Sequence, residues 1–173
     1  MSKRFFALCL SSIFFFGCVG INDTMTPSLS VQKDQFDGSL IINQPSVSAS
    51  SSLTESWHTL GFQWNQKYPK VVFLEVGVQG VKNVTGVAFN VDGEVIENIK
   101  EASSLTAYGD WSTRRLVMPV SDFVKVAMGR DVKMKVTQID TYTVSSFGLD
   151  RSGAIVNSKF PPFIQKLREN KVL

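Results

Sequence analysis

The chain has 173 residues, 43% hydrophobic and 19% charged, enough for one buried core. Lys and Arg number 18 against 15 acids, and a formal charge of +3 does not amount to the clustered basic face that a nucleic-acid partner requires. One histidine, two cysteines and scattered carboxylates do not make a zinc-type ligand set, and no metal or other cofactor is implied.

The first stretch, residues 1–17, reads as a secretory signal. Lys3 and Arg4 form a basic start, and Phe5 to Phe16 form an apolar run broken only by Ser11 and Ser12. A run of about 12 residues is too short for a bilayer core that needs roughly 20. Phe15-Phe16-Gly17-Cys18 then resembles a bacterial lipobox, in which a small residue precedes the cysteine that becomes the lipidated first residue. The resemblance implies that Cys18 carries the lipid, palmitate among its acyl groups, and that the membrane is the first partner. Val19 follows where lipoproteins retained in the inner membrane often have Asp, which implies the outer membrane, with the domain in the periplasm or on the cell envelope.

Removing residues 1–17 takes away Lys3 and Arg4 but no acid, leaving 16 basic residues against 15 acidic. Cys9 leaves with the signal and Cys18 is used by the lipid, so no disulfide is expected despite an oxidising export route. Residues 18–35 are polar, with no sustained period, and are expected to be a flexible tether. Residues 36–173 are expected to form a single globular β-rich domain.

Within that domain, Asp37-Gly38 predicts a turn before Ser39 to Ile42. Ser46 to Ser52 fits either a second linker or an edge strand with Val47 and Ala49 facing inward. Leu60, Phe62 and Trp64 alternate with polar or small residues, as do Val72, Leu74, Val76 and Val78, and both runs predict strands with one apolar face. Val87, Phe89 and Val91 lead into Asp92-Gly93 and then Val95 and Ile99, the pattern of a two-residue hairpin. Lys100 to Thr113 lacks a period and predicts an exposed loop carrying Trp111, followed by a strand from Arg114 to Met118. Ser121-Asp122 predicts the cap of a short helix that ends at Gly129. Val132, Met134 and Val136 alternate with Lys133, Lys135 and Thr137, and a partner strand follows from Ile139 to Phe147. A last helix is expected to open at Ser158, with Pro161 and Pro162 in its first turn. Short turns between strands favour antiparallel pairing, so the fold class is α+β, a mainly antiparallel sheet with a short internal helix and a C-terminal helix. An all-β sandwich is the alternative.

The chemistry-bearing residues are sparse. A Ser-His-Asp or Cys-His arrangement would have to centre on His58, which has only Glu55 nearby and reads as a surface or satisfied histidine. Asp140 and Asp150 flank the last strand, Glu94 and Glu97 flank a turn, and Glu75 lies within a strand. Paired carboxylates could serve glycoside hydrolysis, although acids near strand ends are commonly solvated. Gly77, Gly80 and Gly86 carry no nucleotide fingerprint, and Asn83-Val84-Thr85 fits a glycosylation sequon that a bacterial lipoprotein signal makes incidental. Arg114, Arg115, Arg130, Lys133 and Lys135 would form a cationic patch if the strands 114–118 and 132–136 paired. Trp111 is a candidate recognition anchor, whereas Trp64 belongs to the core by its alternation.

Two function classes follow. One is a membrane-anchored envelope lipoprotein with a binding or structural accessory role, contacting an envelope protein or a glycan through Trp111, Arg114, Arg115, Lys133 and Lys135. The other is an envelope hydrolase acting on glycan or peptide through carboxylates such as Asp140 or Glu75. The whole layout resembles the many small bacterial lipoproteins of unassigned function, and only the signal and lipobox residues of that resemblance are motif-like.

Overall fold

Residues 26–173 are described by a computed structural model. The strands are β1 (Ser30–Lys33), β2 (Leu40–Ser48), β3 (His58–Asn65), β4 (Val71–Gln79), β5 (Val84–Val91), β6 (Glu94–Ile96), β7 (Lys100–Glu101), β8 (Trp111–Pro119), β9 (Val132–Gln138) and β10 (Tyr142–Phe147). Helix α1 (Val120–Met128) joins β8 to β9, and α2 (Val156–Glu169) follows β10. The larger sheet has the order β1-β2-β3-β4-β8-β7 and the smaller β10-β9-β5-β6. Among the described residues these strands all pair antiparallel, and the architecture is mainly antiparallel β with one internal and one C-terminal helix.

Period 2 decides which faces meet. Leu60, Phe62 and Trp64, Val72 to Val78, and Leu116 and Met118 point from the larger sheet into the same core as Val87, Phe89, Val132, Met134 and Val136 from the smaller. At one end the sheets approach closely, and the connections 49–57, 80–83, 102–110 and 139–141 close that loop end. At the other, helix end, α1 and α2 wedge between them. Phe62 meets Phe123, Phe160 and Phe163 with ring centroids 5.2, 5.1 and 4.8 Å away, and Phe160 reaches Phe147 of the smaller sheet at 5.8 Å.

The Asp92-Gly93 hairpin has the expected turn, with φ of 53° and 97° at its two central residues. Val47 and Ala49 face inward, as an edge-strand reading of the Ser-rich stretch requires. A bulge lies between Gln44 and Val47, and Pro45 sits within it. Strand β1 covers β2 only from Leu40 to Asn43.

Four expectations are corrected. Of the tether 18–35, residues 18–25 lie outside the described residues, and Ser30–Lys33 is strand β1. All four of its side chains are exposed, so backbone pairing holds it and no apolar pattern announces it. The loop expected over 100–113 contains β7 and the start of β8, whose inward residues Ser112 and Arg114 are polar and hide the alternation. The cap of α1 is Pro119, without a side-chain hydrogen bond, and Ser121 and Asp122 lie inside the first turn. The helix ends at Gly129 as expected, with Gly129 extended at φ −64°, and a Cβ there would lie 2.6 Å from Val132 Cγ2 and 2.7 Å from Val91 Cγ1. Helix α2 begins at Val156, placing Pro161 and Pro162 in its interior. Both are exposed, so water can satisfy the carbonyls they leave without a donor.

Candidate aromatic cleft

The outer face of the larger sheet is built by the residues alternating with the core set. His58 pairs with Val78, so Trp57, one residue earlier, falls beside Gln79, and Gln79 pairs with Trp111. Two tryptophans thus flank Gln79 across three strand positions, about 10 Å apart at the backbone. The next row is Ser48, Thr59, Gly77 and Thr113. Gly77 leaves its place to the Thr59 side chain, whose Oγ1 occupies the space a Cβ would need. Beyond it lie Gly61, Glu75 and Arg115, and a Cβ on Gly61 would come within 2.6 Å of Ser46 Oγ. Small residues therefore keep the floor low while the tryptophans rise from it.

Trp57, Trp111, Leu53, Ser46, Ser48 and Thr59 line a mostly apolar cleft of about 600 Å³ here. Trp57 is 49% exposed and Leu53 86%. The serine and threonine hydroxyls supply donors and acceptors along an apolar wall, which suits a ring with one apolar face and a polar edge. The connection 49–57 forming one wall is held in place. Ser51 N–H donates to Ser146 O at 3.0 Å, and Ser146 N–H donates to Glu55 Oε2 at 3.0 Å.

Of the binding residues expected from the sequence, Trp111 is in this cleft, though on a strand rather than in a loop. Arg115 shares its face and donates to Gln63 Oε1. Arg114 points the opposite way. It is buried, donates to Val84 O and pairs with Glu101 at 2.7 Å. Lys133 and Lys135 lie on the smaller sheet, Lys135 Nζ 5.8 Å from the Tyr142 ring centroid. Arg130 pairs with Asp150 at 3.3 Å. The strands 114–118 and 132–136 belong to different sheets, so the expected cationic patch does not form. Trp57 is the cleft residue that sequence reasoning misses. Its signal is parity, since it shares the outward positions of Thr59, Gly61 and Gln63, but cross-strand register is needed to bring it to Trp111.

His58 is buried at 1% exposure and joins the two sheets. Its Nδ1 lies 2.8 Å from Ser145 Oγ and its Nε2 2.9 Å from Thr143 Oγ1, which also accepts from Gln138 Nε2 at 3.2 Å. Burial pushes the imidazole pKa down to about 4, with the Glu55 charge opposing part of that shift. A neutral ring donating through one nitrogen and accepting through the other fits these two hydroxyls. Ser145 is itself fully buried, so this Ser-His contact presents no accessible nucleophile.

The carboxylates do not converge. Glu75 accepts from Ser46 Oγ at 2.8 Å and faces Gly61 and Arg115 across the sheet. Asp140 lies in the turn between β9 and β10, and Glu94 pairs with Lys125 at 2.6 Å. Among the described residues no group of three or more His, Cys, Asp or Glu is placed to hold a metal, and no helix is long and apolar enough to cross a membrane. Cys18 lies outside the described residues. No protein family matches the chain, and neither a curated protein nor a solved structure does.

Proposed function

We propose that this is a lipid-anchored envelope protein whose domain is a binding module for glycan, with Trp57 and Trp111 as the walls of the site. The pair of tryptophans over a hydroxyl-lined floor carries this reading. Sugar rings offer apolar faces to indole surfaces and hydroxyl edges to Ser46, Ser48 and Thr59. The separation of Glu75 from Asp140 favours binding over hydrolysis, which needs two carboxyl groups across one bond. The signal and Gly17-Cys18 support the anchor.

The test is titration of the domain with soluble cell-wall and lipopolysaccharide-derived oligosaccharides, followed by tryptophan fluorescence. Saturable binding weakened about tenfold or more by Trp111→Ala is expected, consistent with an aromatic anchor. Unchanged affinity in a folded Trp111→Ala variant, or no saturable binding to any such glycan, sinks the reading. The anchor is tested separately by the intact mass of the membrane-extracted protein, which should exceed that of chain 18–173 by the acyl groups.

A further inference from the structure

The loop end carries a second surface that the cleft does not use. Val81 is 75% exposed, Tyr108 58% and Ile139 68%, each from a different connection, and Tyr142 stands exposed at the start of β10. These connections meet. Gly80 N–H donates to Asp110 O at 2.8 Å, Lys82 N–H to Ser112 Oγ at 2.9 Å and Thr106 Oγ1 to Asn83 Oδ1 at 3.1 Å, while Val84 pairs with Gln138 just before the 139–141 turn. Apolar tips held side by side at one end of a domain mark a contact surface.

We propose that this end docks on a lipid bilayer, Val81 and Ile139 entering the acyl boundary while Tyr108 and Tyr142 sit at headgroup level. The path of the chain points to that occupant. Ser30 faces Asn43 and Lys33 faces Leu40, so upstream of Ser30 the chain heads toward the loop end, where Pro27 O accepts from Gln44 Nε2 at 3.1 Å. From Cys18 to Thr26 is eight residues, a reach of at most about 29 Å. A lipid on Cys18 therefore leaves the loop end close to the membrane. The helix end also exposes Phe36, Tyr68, Met128 and Leu149, but the Lys67–Asp37, Lys125–Glu94, Arg130–Asp150 and Arg151–Asp131 pairs share that surface and would have to be desolvated with them. Aromatic rings favour the interface, and a second contact orients the domain that the acyl groups hold at the membrane.

This inference rests on the anchoring reading, so its test supplies the anchor artificially. Chain 18–173 holds every described strand, helix and core residue, and its only thiol, Cys18, can be coupled to a maleimide lipid in phosphatidylethanolamine–phosphatidylglycerol vesicles. Amide exchange is then compared between tethered and free protein. Segments 80–83, 107–110 and 139–141 should slow about tenfold or more, with 34–39 and 66–70 unchanged. Val81→Asp/Ile139→Asp should abolish that protection while β4 and β8 stay protected as before. Equal exchange at both ends, or protection at the Met128, Leu149 and Ile164 groove instead, overturns the proposal. So does protection of 80–83 and 139–141 that persists in vesicle-free protein at high concentration, which assigns the surface to a second copy. Absence of acyl mass on the native protein overturns the anchoring reading instead, so the two failures are told apart.

Discussion

At the helix end, Phe62, Phe123, Phe160 and Phe163 close the space between the sheets with aromatic rings, and charged pairs lie outside beside the exposed Phe36, Tyr68 and Met128. The loop end is closed by other means. There His58, Ser145, Thr143 and Gln138 span the interior through hydrogen bonds, while valine, isoleucine and tyrosine stand outside. The aromatic end gains stability from area removed from water, which no proton can change near neutrality. The polar end depends on one neutral imidazole, so its contribution is tied to pH. Polar closure also lets the loop end hold its shape without committing its apolar side chains to the core.

The comparison breaks first at the aromatic end. Phe163 is fully buried against Phe62 and Phe123, and Phe163→Ala should cost about 3 to 5 kcal/mol in denaturant unfolding. A loss below about 1 kcal/mol would mean that α2 is not seated as described.

Acid tests the polar end. Below pH 6.5 the unfolded chain takes a proton on His58 that the folded chain resists until about pH 4. The stabilising contribution of the neutral ring is therefore complete above pH 6.5 and falls as the pH drops toward 4, by on the order of 3 kcal/mol. In this window the Asp37 and Asp92 carboxylates at the helix end stay charged, because Lys67 and backbone N–H donors hold them below the usual range. Urea unfolding between pH 7 and about 4.5 should show the loss in the wild type and a flatter profile in His58→Gln. Identical profiles would show that the ring is not the titrating group.

The smallest effect belongs to the charged surface. Lys125 and Glu94 are both well exposed, so Lys125→Met should leave the melting temperature within the scatter of replicate scans. A clear drop would show that α1 depends on this pair for its position.

Much of this contrast is legible in the sequence where apolar residues alternate. The runs around Leu60, Val72, Val87 and Val132, and the Asp92-Gly93 turn, carry their own period. Strand β8 looks shorter in sequence than it is because Ser112 and Arg114 fill inward positions, donating to the carbonyls of Gly80 and Val84 in contacts that no local pattern encodes. Strand β1 escapes detection because it buries nothing and is held by its neighbour's backbone. In the cleft, Trp111 stands out in the sequence but its partner does not. Trp57 and Trp111 are 54 positions apart in the chain, and only the register through Gln79 makes them neighbours. Arg114 and Lys133 show the converse, basic residues that look adjacent only if the wrong strands are paired.

The bulge in β2 has a consequence for crowding. Beyond Asn43 that strand has no neighbour in β1, and an open edge is a template on which another copy could stack. Pro45 offers no N–H there, and the extra residue throws the remaining donors and acceptors out of step with any straight strand. Molecules packed densely together can therefore touch along this side without zippering into fibrils, a protection encoded by one imino acid and one added residue.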